Sequence, residues 1–268
     1  MGKTNAKLIR LVSVSLVLTA LMGCQTSQPM GQKDPEKAKQ VRIQLAAEYI
    51  RTGDLDAAKR SLDQALDIDA KDSSANMMMG VLLQQEGSAI NIEKADAYFK
   101  RAIASDPTNA QARNNYGTYL YQIGRYNEAI EQLSVAGAAL GYDQRFRALE
   151  NLGRIYLRLG DTAKATQSFK QALQVNQNSY VSMLELSEIF YLNQEIKAAT
   201  QLYEQFVREI GQSNQSSRAL WIGIRLARAN GDTLGMQALA NQLGVTFPNS
   251  TEYKRYQQLK YTTEAVWK

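Results

Sequence analysis

From Ala38 onward, small and large apolar residues return in a fixed order at helical spacing. The stretch from Ala112 to Gly137, ARNNYGTYLYQIGRYNEAIEQLSVAG, shows that order most plainly. Tyr116, Gly117 and Leu120 fall on one face of a helix, because residues three or four apart stack on one another. Gly124 stands where that helix stops, and a glycine there takes the left-handed conformation without a Cβ penalty. Ala129, Leu133 and Ala136 then form the inner stripe of a second helix. Gly117 and Ala129 let the two backbones approach, while Tyr116, Leu120 and Leu133 fill the space around them. The pattern predicts two helices joined by a short turn.

The same order recurs along the chain. A first unit has Leu45-Ala46, Tyr49, Gly53, Ala58, Leu62 and Ala65, and a second has Met79-Gly80, Leu83, Gly87, Ala95, Phe99, Ala102 and Pro107. A fourth has Leu152-Gly153, Tyr156, Gly160, Ala165, Phe169 and Ala172, and a fifth has Leu186-Ser187, Phe190, Ala199 and Tyr203. The small first-helix residues Ala46, Gly80, Gly117, Gly153 and Ser187 are separated by 34, 37, 36 and 34 positions. An unrelated helical bundle would not return one order of residue sizes at a near-constant period. The pattern resembles the tetratricopeptide repeat, W-x2-L-G-x2-Y followed by A-x3-F and P. That resemblance implies an all-α, right-handed superhelix of about six repeats, with first helices lining a concave groove.

The departures from the pattern carry expectations of their own. Ser88 to Ile92 lengthens the turn of the second unit, and Gly137 to Tyr142 extends the junction after the third. Gln194 stands where other units have a turn glycine. A sixth unit, Ser217 to Pro248, keeps Gly231 but has a degraded small-residue pattern, as terminal repeats often do. The array is therefore placed at 38–248. Residues 249–268 read as a capping helix with Tyr253, Tyr256, Leu259 and Tyr261 available to cover the open end, and the final AVWK is expected to fray.

The N-terminal stretch has a different character. Lys3, Lys7 and Arg10 precede an apolar run from Leu11 to Met22, too short to span a bilayer comfortably. The run ends in Leu21-Met22-Gly23-Cys24, which resembles a bacterial lipobox, with Met22 a mild departure. Residues 1–23 are thus expected to be a leader, and the resemblance implies that Cys24 receives lipid and becomes the mature N-terminus. Several acyl chains on one residue exceed what stable anchoring requires. Gln25 follows, and where an aspartate retention rule operates its presence implies export to the outer membrane. Residues 24–37 read as a tether, in which the polar stretch 25–37 carries two of the four prolines and reaches at most ~45 Å.

Composition narrows the chemistry. The chain has 268 residues, one cysteine and no histidine. The commonest general base and metal ligand is absent, and an internal disulfide or thiolate cluster is excluded. The net charge of +5 falls to +2 without the leader, which holds three basic and no acidic residues. No nucleic-acid partner is expected on that balance. Neither a phosphate-binding glycine loop nor a nucleophile-base arrangement occurs. Asp67 with Asp69 and Glu185 with Glu188 are paired carboxylates that read as solvated helix faces, leaving a carboxylate hydrolase as a minor alternative. Asp54 and Asp161 follow turn glycines and read as N-caps. No catalytic residue, cofactor or metal site is expected beyond the lipid on Cys24.

Met77 in the Met77-Met78-Met79 run, Arg147, Arg154 and Arg158 on one first helix, and Arg218, Trp221, Arg225 and Arg228 on another are candidate recognition residues. In the repeat register, Met77, Asn114, Tyr121, Arg154, Arg158, Tyr191, Trp221 and Arg225 line the groove or its rim. Tyr, Met and Trp offer apolar area to a peptide, and Asn and Arg can bond its backbone or carboxylates. The joint architecture of lipobox, tether and six repeats, with Asn-Asn-Tyr-Gly in the third, resembles the PilF/PilW family of type IV pilus pilotin lipoproteins. The resemblance implies a monomeric outer-membrane lipoprotein facing the periplasm, which binds the pilus secretin subunit and supports its localisation and assembly. A repeat lipoprotein that scaffolds a cell-wall hydrolase or an outer-membrane insertion machine remains the alternative.

Overall fold

The first helix, α1, spans Pro35–Thr52, and α2 spans Leu55–Ile68. Gly53 and Asp54 alone separate them, and the Asp54 carboxylate accepts the Ala57 amide at 3.0 Å. This unit then repeats, in a computed structural model that describes residues 34–264 and Trp267. The next pairs are α3 (Ser73–Glu86) with α4 (Ala89–Ser105), α5 (Ala110–Gln122) with α6 (Tyr126–Ala138), and α7 (Arg145–Arg158) with α8 (Thr162–Val175). They are followed by α9 (Tyr180–Leu192) with α10 (Ile196–Ile210) and α11 (Ser217–Ala229) with α12 (Thr233–Thr246), and α13 (Thr251–Leu259) closes the series. Among the described residues there is no strand, and no helix is long and apolar enough to cross a membrane. The fold is all-α and superhelical, six tetratricopeptide pairs and a final helix.

Each turn solves the same problem, ending one helix and capping the next within two or three residues. At the third unit Gly124 has φ +80° and Arg125 N–H reaches back to the Leu120 carbonyl at 2.9 Å. Gln194 makes the same turn, with φ +65° and Glu195 N–H bonded to the Phe190 carbonyl at 2.8 Å. An L residue there pays a steric cost that glycine avoids. The Asp161 carboxylate caps α8 through the Lys164 amide at 3.0 Å, as its sequence position predicts.

In the second, third and fourth pairs a small residue on the first helix faces a large one on the second. A Cβ on Gly153 would lie 2.6 Å from the Phe169 ring, and one on Gly117 2.5 Å from Leu133 Cγ. At Gly80 the clearance to Phe99 is 3.0 Å. In the fifth pair Ser187 takes this place and donates to the Ala199 carbonyl at 2.9 Å. The sixth pair exchanges the sizes, since Ile224 stands at the small position and Ala240 at the large one, both buried in one cluster. Its small-residue pattern is degraded in sequence because the volume has moved to the other helix.

Three expectations are corrected. The insertion at Ser88 to Ile92 does not lengthen a turn. Ser88 caps α4 directly after Gly87, so the additional residues become helix and α4 runs to 17 residues. Of the stretch 24–37 expected to be a tether, Pro35 onward is helix instead, since α1 starts at Pro35 and Lys39 is held by Glu36, Asp69 and Asp72 at 2.8, 3.1 and 2.9 Å. The end of the chain is not frayed at Trp267, which is 1% exposed and packs among Trp221, Ala240, Leu243 and Tyr256. Tyr256 joins that cover as expected, whereas Tyr261 stays exposed. Cys24 and the leader lie outside the described residues.

Candidate functional site

The concave lining is built from α3, α5, α7, α9 and α11. Helical periodicity sends every third or fourth residue of each to the same side, so equivalent positions form ladders across the repeats. Met77, Asn114, Glu150, Leu184 and Trp221 make one such ladder, and Arg154, Glu188 and Arg225 belong to another. Rungs are joined by side chains. Asn115 donates to the Met77 sulfur at 3.1 Å, and Asn151 donates to Thr118 Oγ1 at 3.0 Å.

At the C-terminal end the rungs are ionic. Arg218 donates to both oxygens of Glu185, at 2.8 and 2.7 Å, and through Nε to Glu188 at 3.1 Å. Arg225 donates to the other oxygen of Glu188. Burial alone would push the Glu188 carboxyl up, but Arg225 and Arg218 outweigh it and hold it below the usual range. The bidentate contact with Glu185 raises Arg218 in turn. Glu150 is different. Burial dominates, and its carboxyl is raised even though Ser179 donates a hydrogen bond to it.

The guanidinium of Arg225 also lies 4.9 Å from the Tyr191 ring centroid and 5.3 Å from that of Trp221. Over Trp221 sits Trp267, with ring centroids 5.9 Å apart and an interplanar angle of 11°. Trp267 donates its backbone N–H to Tyr191 Oη at 2.9 Å, and Arg225 donates to its carbonyl at 3.4 Å.

Beside this filled end the groove is open. A cleft of about 270 Å³ is lined by Arg154, Val181, Leu184, Glu185 and Arg218 from the first helices, and by Phe206 and Ile210 of α10 on its other side. Tyr121, half-buried with its ring 5.9 Å from that of Tyr126, borders the groove two repeats earlier. The arrangement offers guanidinium groups, amide side chains and apolar faces to an extended chain. Among the described residues no three His, Cys, Asp or Glu are grouped to hold a metal.

Tetratricopeptide-repeat profiles match residues 39–72, 109–178 and 150–214. The type IV pilus assembly protein PilF of Pseudomonas aeruginosa is 34% identical over 256 residues, covering 94% of this chain and 99% of that one. The chain belongs to the PilF family of type IV pilus assembly proteins. A solved structure from the functional characterisation of Pseudomonas aeruginosa PilF gives a TM-score of 0.79 at 34% identity, covering 84% of this chain and 99% of that one. PilW, described as a widely conserved type IV pilus biogenesis factor, gives a TM-score of 0.69 at 24% identity over 81% and 97% of the two chains, and shares the fold.

In this PilF-family chain the residues expected to line the groove divide into two groups. Tyr121 is half-buried, and Arg154 and Arg158 are exposed. Met77, Asn114, Tyr191, Trp221 and Arg225 are 3%, 8%, 1%, 5% and 2% exposed and cannot meet a partner as they stand. Met77 lies against Asn115 of the next rung, Asn114 meets Tyr142 from the α6–α7 connection, and the last three are covered by Trp267 and the ion network. Glu185 and Glu188, expected on a solvated face, instead anchor that network. Their partners lie on the next first helix, a relation that spacing within one helix does not reveal. The return of Trp267 into the PilF-type groove had no signal beyond a tryptophan in a polar tail.

Proposed function

We propose that this chain serves type IV pilus biogenesis as a non-catalytic pilotin, holding a segment of the pilus secretin subunit in its concave groove. Lipid on Cys24 anchors it in the outer membrane with the repeats in the periplasm. Family membership supports the pilus role, and the lipobox-like LMGC supports the anchor. The observation that carries the binding mode is the open groove between Tyr121 and Arg158. Tyr121 and the exposed Arg154 and Arg158 lie on the first helices of that stretch, and Arg154 also lines the cleft that has Val181 and Leu184 in its wall. Aromatic and arginine side chains anchor protein interfaces more often than others, and arginine pairs well with carboxylates.

The test compares Tyr121→Ala and Arg154→Glu with Glu131→Lys, an exposed control on α6. Secretin capture from outer membranes and thermal melting are measured on each. Capture at least tenfold weaker for both groove variants, with unchanged melts and a normal control, supports the reading. Normal capture by both moves the interface elsewhere. Deletion strains separate the alternative: loss of pili with normal cell shape fits the pilotin, whereas cell chaining or a general envelope defect fits the scaffold. Intact-mass analysis of the mature chain checks the anchor, since acylated Cys24 without residues 1–23 is expected.

A further inference from the structure

Trp267 occupies the groove in the way an extended peptide would. Its indole stacks on Trp221, meets the edge of Tyr256 at 6.3 Å, and lies beneath the Arg228 guanidinium at 4.4 Å. Its backbone N–H and carbonyl are both bonded by groove side chains, Tyr191 and Arg225. Arg228 donates to the Glu264 carbonyl at 2.6 Å. Three of these contacts read main-chain atoms, which any extended chain supplies, and one slot reads a large aromatic ring. The groove residues making them are those that the repeat register directs toward a ligand.

The fit is incomplete. Among the described residues, neither Trp267 Nε1 nor Arg225 Nε has a hydrogen-bond partner, although both are buried. Buried donors left unsatisfied weaken a docked state relative to one that pairs them. Glu264 and Trp267 are joined to α13 through residues 260–263, which are not helical, so the stretch can leave the groove while α13 keeps its helix. The open cleft at Arg154, Leu184 and Arg218 adjoins the ion network under Trp267, so a longer peptide in the filled slot would continue into it.

We propose that the C-terminal stretch, through Glu264 and Trp267, is an intramolecular ligand of the concave groove, and that its release uncovers a slot for an extended partner peptide carrying a large aromatic side chain. Tethering gives the stretch a high effective concentration at the slot, so it lowers the apparent affinity of any competing peptide. The proposal rests on the groove being the peptide-binding face, but not on the partner being a secretin.

A labelled synthetic peptide of residues 262–268, TTEAVWK, tests it on the full chain. Saturable binding to the Trp267→Ala chain is expected, at least tenfold tighter than to the wild type. Replacing the peptide's tryptophan by alanine should abolish binding. No binding to a Trp267→Ala chain that keeps a cooperative helical melt overturns the proposal, as does equal binding to both chains. Where Trp267→Ala does not fold, hydrogen exchange on the wild type decides. Exchange of the Trp267 amide at least tenfold faster than the α9 core amides supports a stretch that opens alone, and exchange at the α9 rate makes it a fixed part of the core. These measurements need only this chain and its own peptide, so their failure leaves secretin capture by Tyr121 and Arg154 untouched.

Discussion

Glu188 on α9 accepts from Arg225 on α11, and this contact joins the fifth repeat to the sixth through a guanidinium that is almost wholly buried. A buried charge stripped of its partner is costly, because the remaining ion keeps its desolvation penalty. Glu188→Ala is expected to cost about 3–5 kcal/mol, read as a lower Tm in circular dichroism. The pH dependence has a definite sign. The folded-state value of Glu188 is depressed, so its contribution is full above the ordinary 4.5 and is lost as pH falls through the lower folded value. The wild type should lose stability over that acid range, and Glu188→Ala should lose less.

Glu150 predicts the opposite. Its folded-state value is raised by burial, so the fold binds its proton more tightly than the unfolded chain does. Its charged form therefore opposes folding once the pH rises through the folded value, and there is no such penalty below the ordinary 4.5. Glu150→Gln keeps an acceptor for Ser179 and removes the charge. It should melt no lower than the wild type at pH 7, with the difference vanishing in acid. A marked loss at neutral pH would show that the carboxylate is needed for stability.

The small-against-large contacts at Gly80 and Gly153 set a ranking. Gly153→Ala places a methyl 2.6 Å from Phe169, against 3.0 Å for Gly80→Ala and Phe99. Overpacking costs about 1–3 kcal/mol, while alanine regains up to ~1 kcal/mol of helix propensity. Gly153→Ala should destabilise and Gly80→Ala should be near neutral. Adding Phe169→Leu to Gly153→Ala should cost less than the two changes summed, a coupling measurable by a double-mutant cycle.

Gln194 holds the turn between α9 and α10 with a positive φ, and its side chain is exposed. Gln194→Gly should raise stability by up to ~1 kcal/mol, since left-handed strain in an L residue outweighs the additional freedom glycine has when unfolded. A lower melt would mean that the side chain makes a contact worth more than the strain.

Local sequence determined the repeat period, the two-helix units, the turn positions and the caps at Asp54 and Asp161. All of these depend on neighbours within one or two helical turns. It also determined the groove register, because a 3.6-residue period decides which face of a helix carries Arg154 or Trp221. Only the tertiary structure decided which of those residues are reachable. Arg225 and Tyr191 share a face with the exposed groove positions, yet they are covered by Trp267 and tied to Glu188 or to a main-chain amide. Whether a groove position is surface or core depends on what packs over it. Here that partner comes from the far end of the chain, and no periodicity within a helix encodes its arrival.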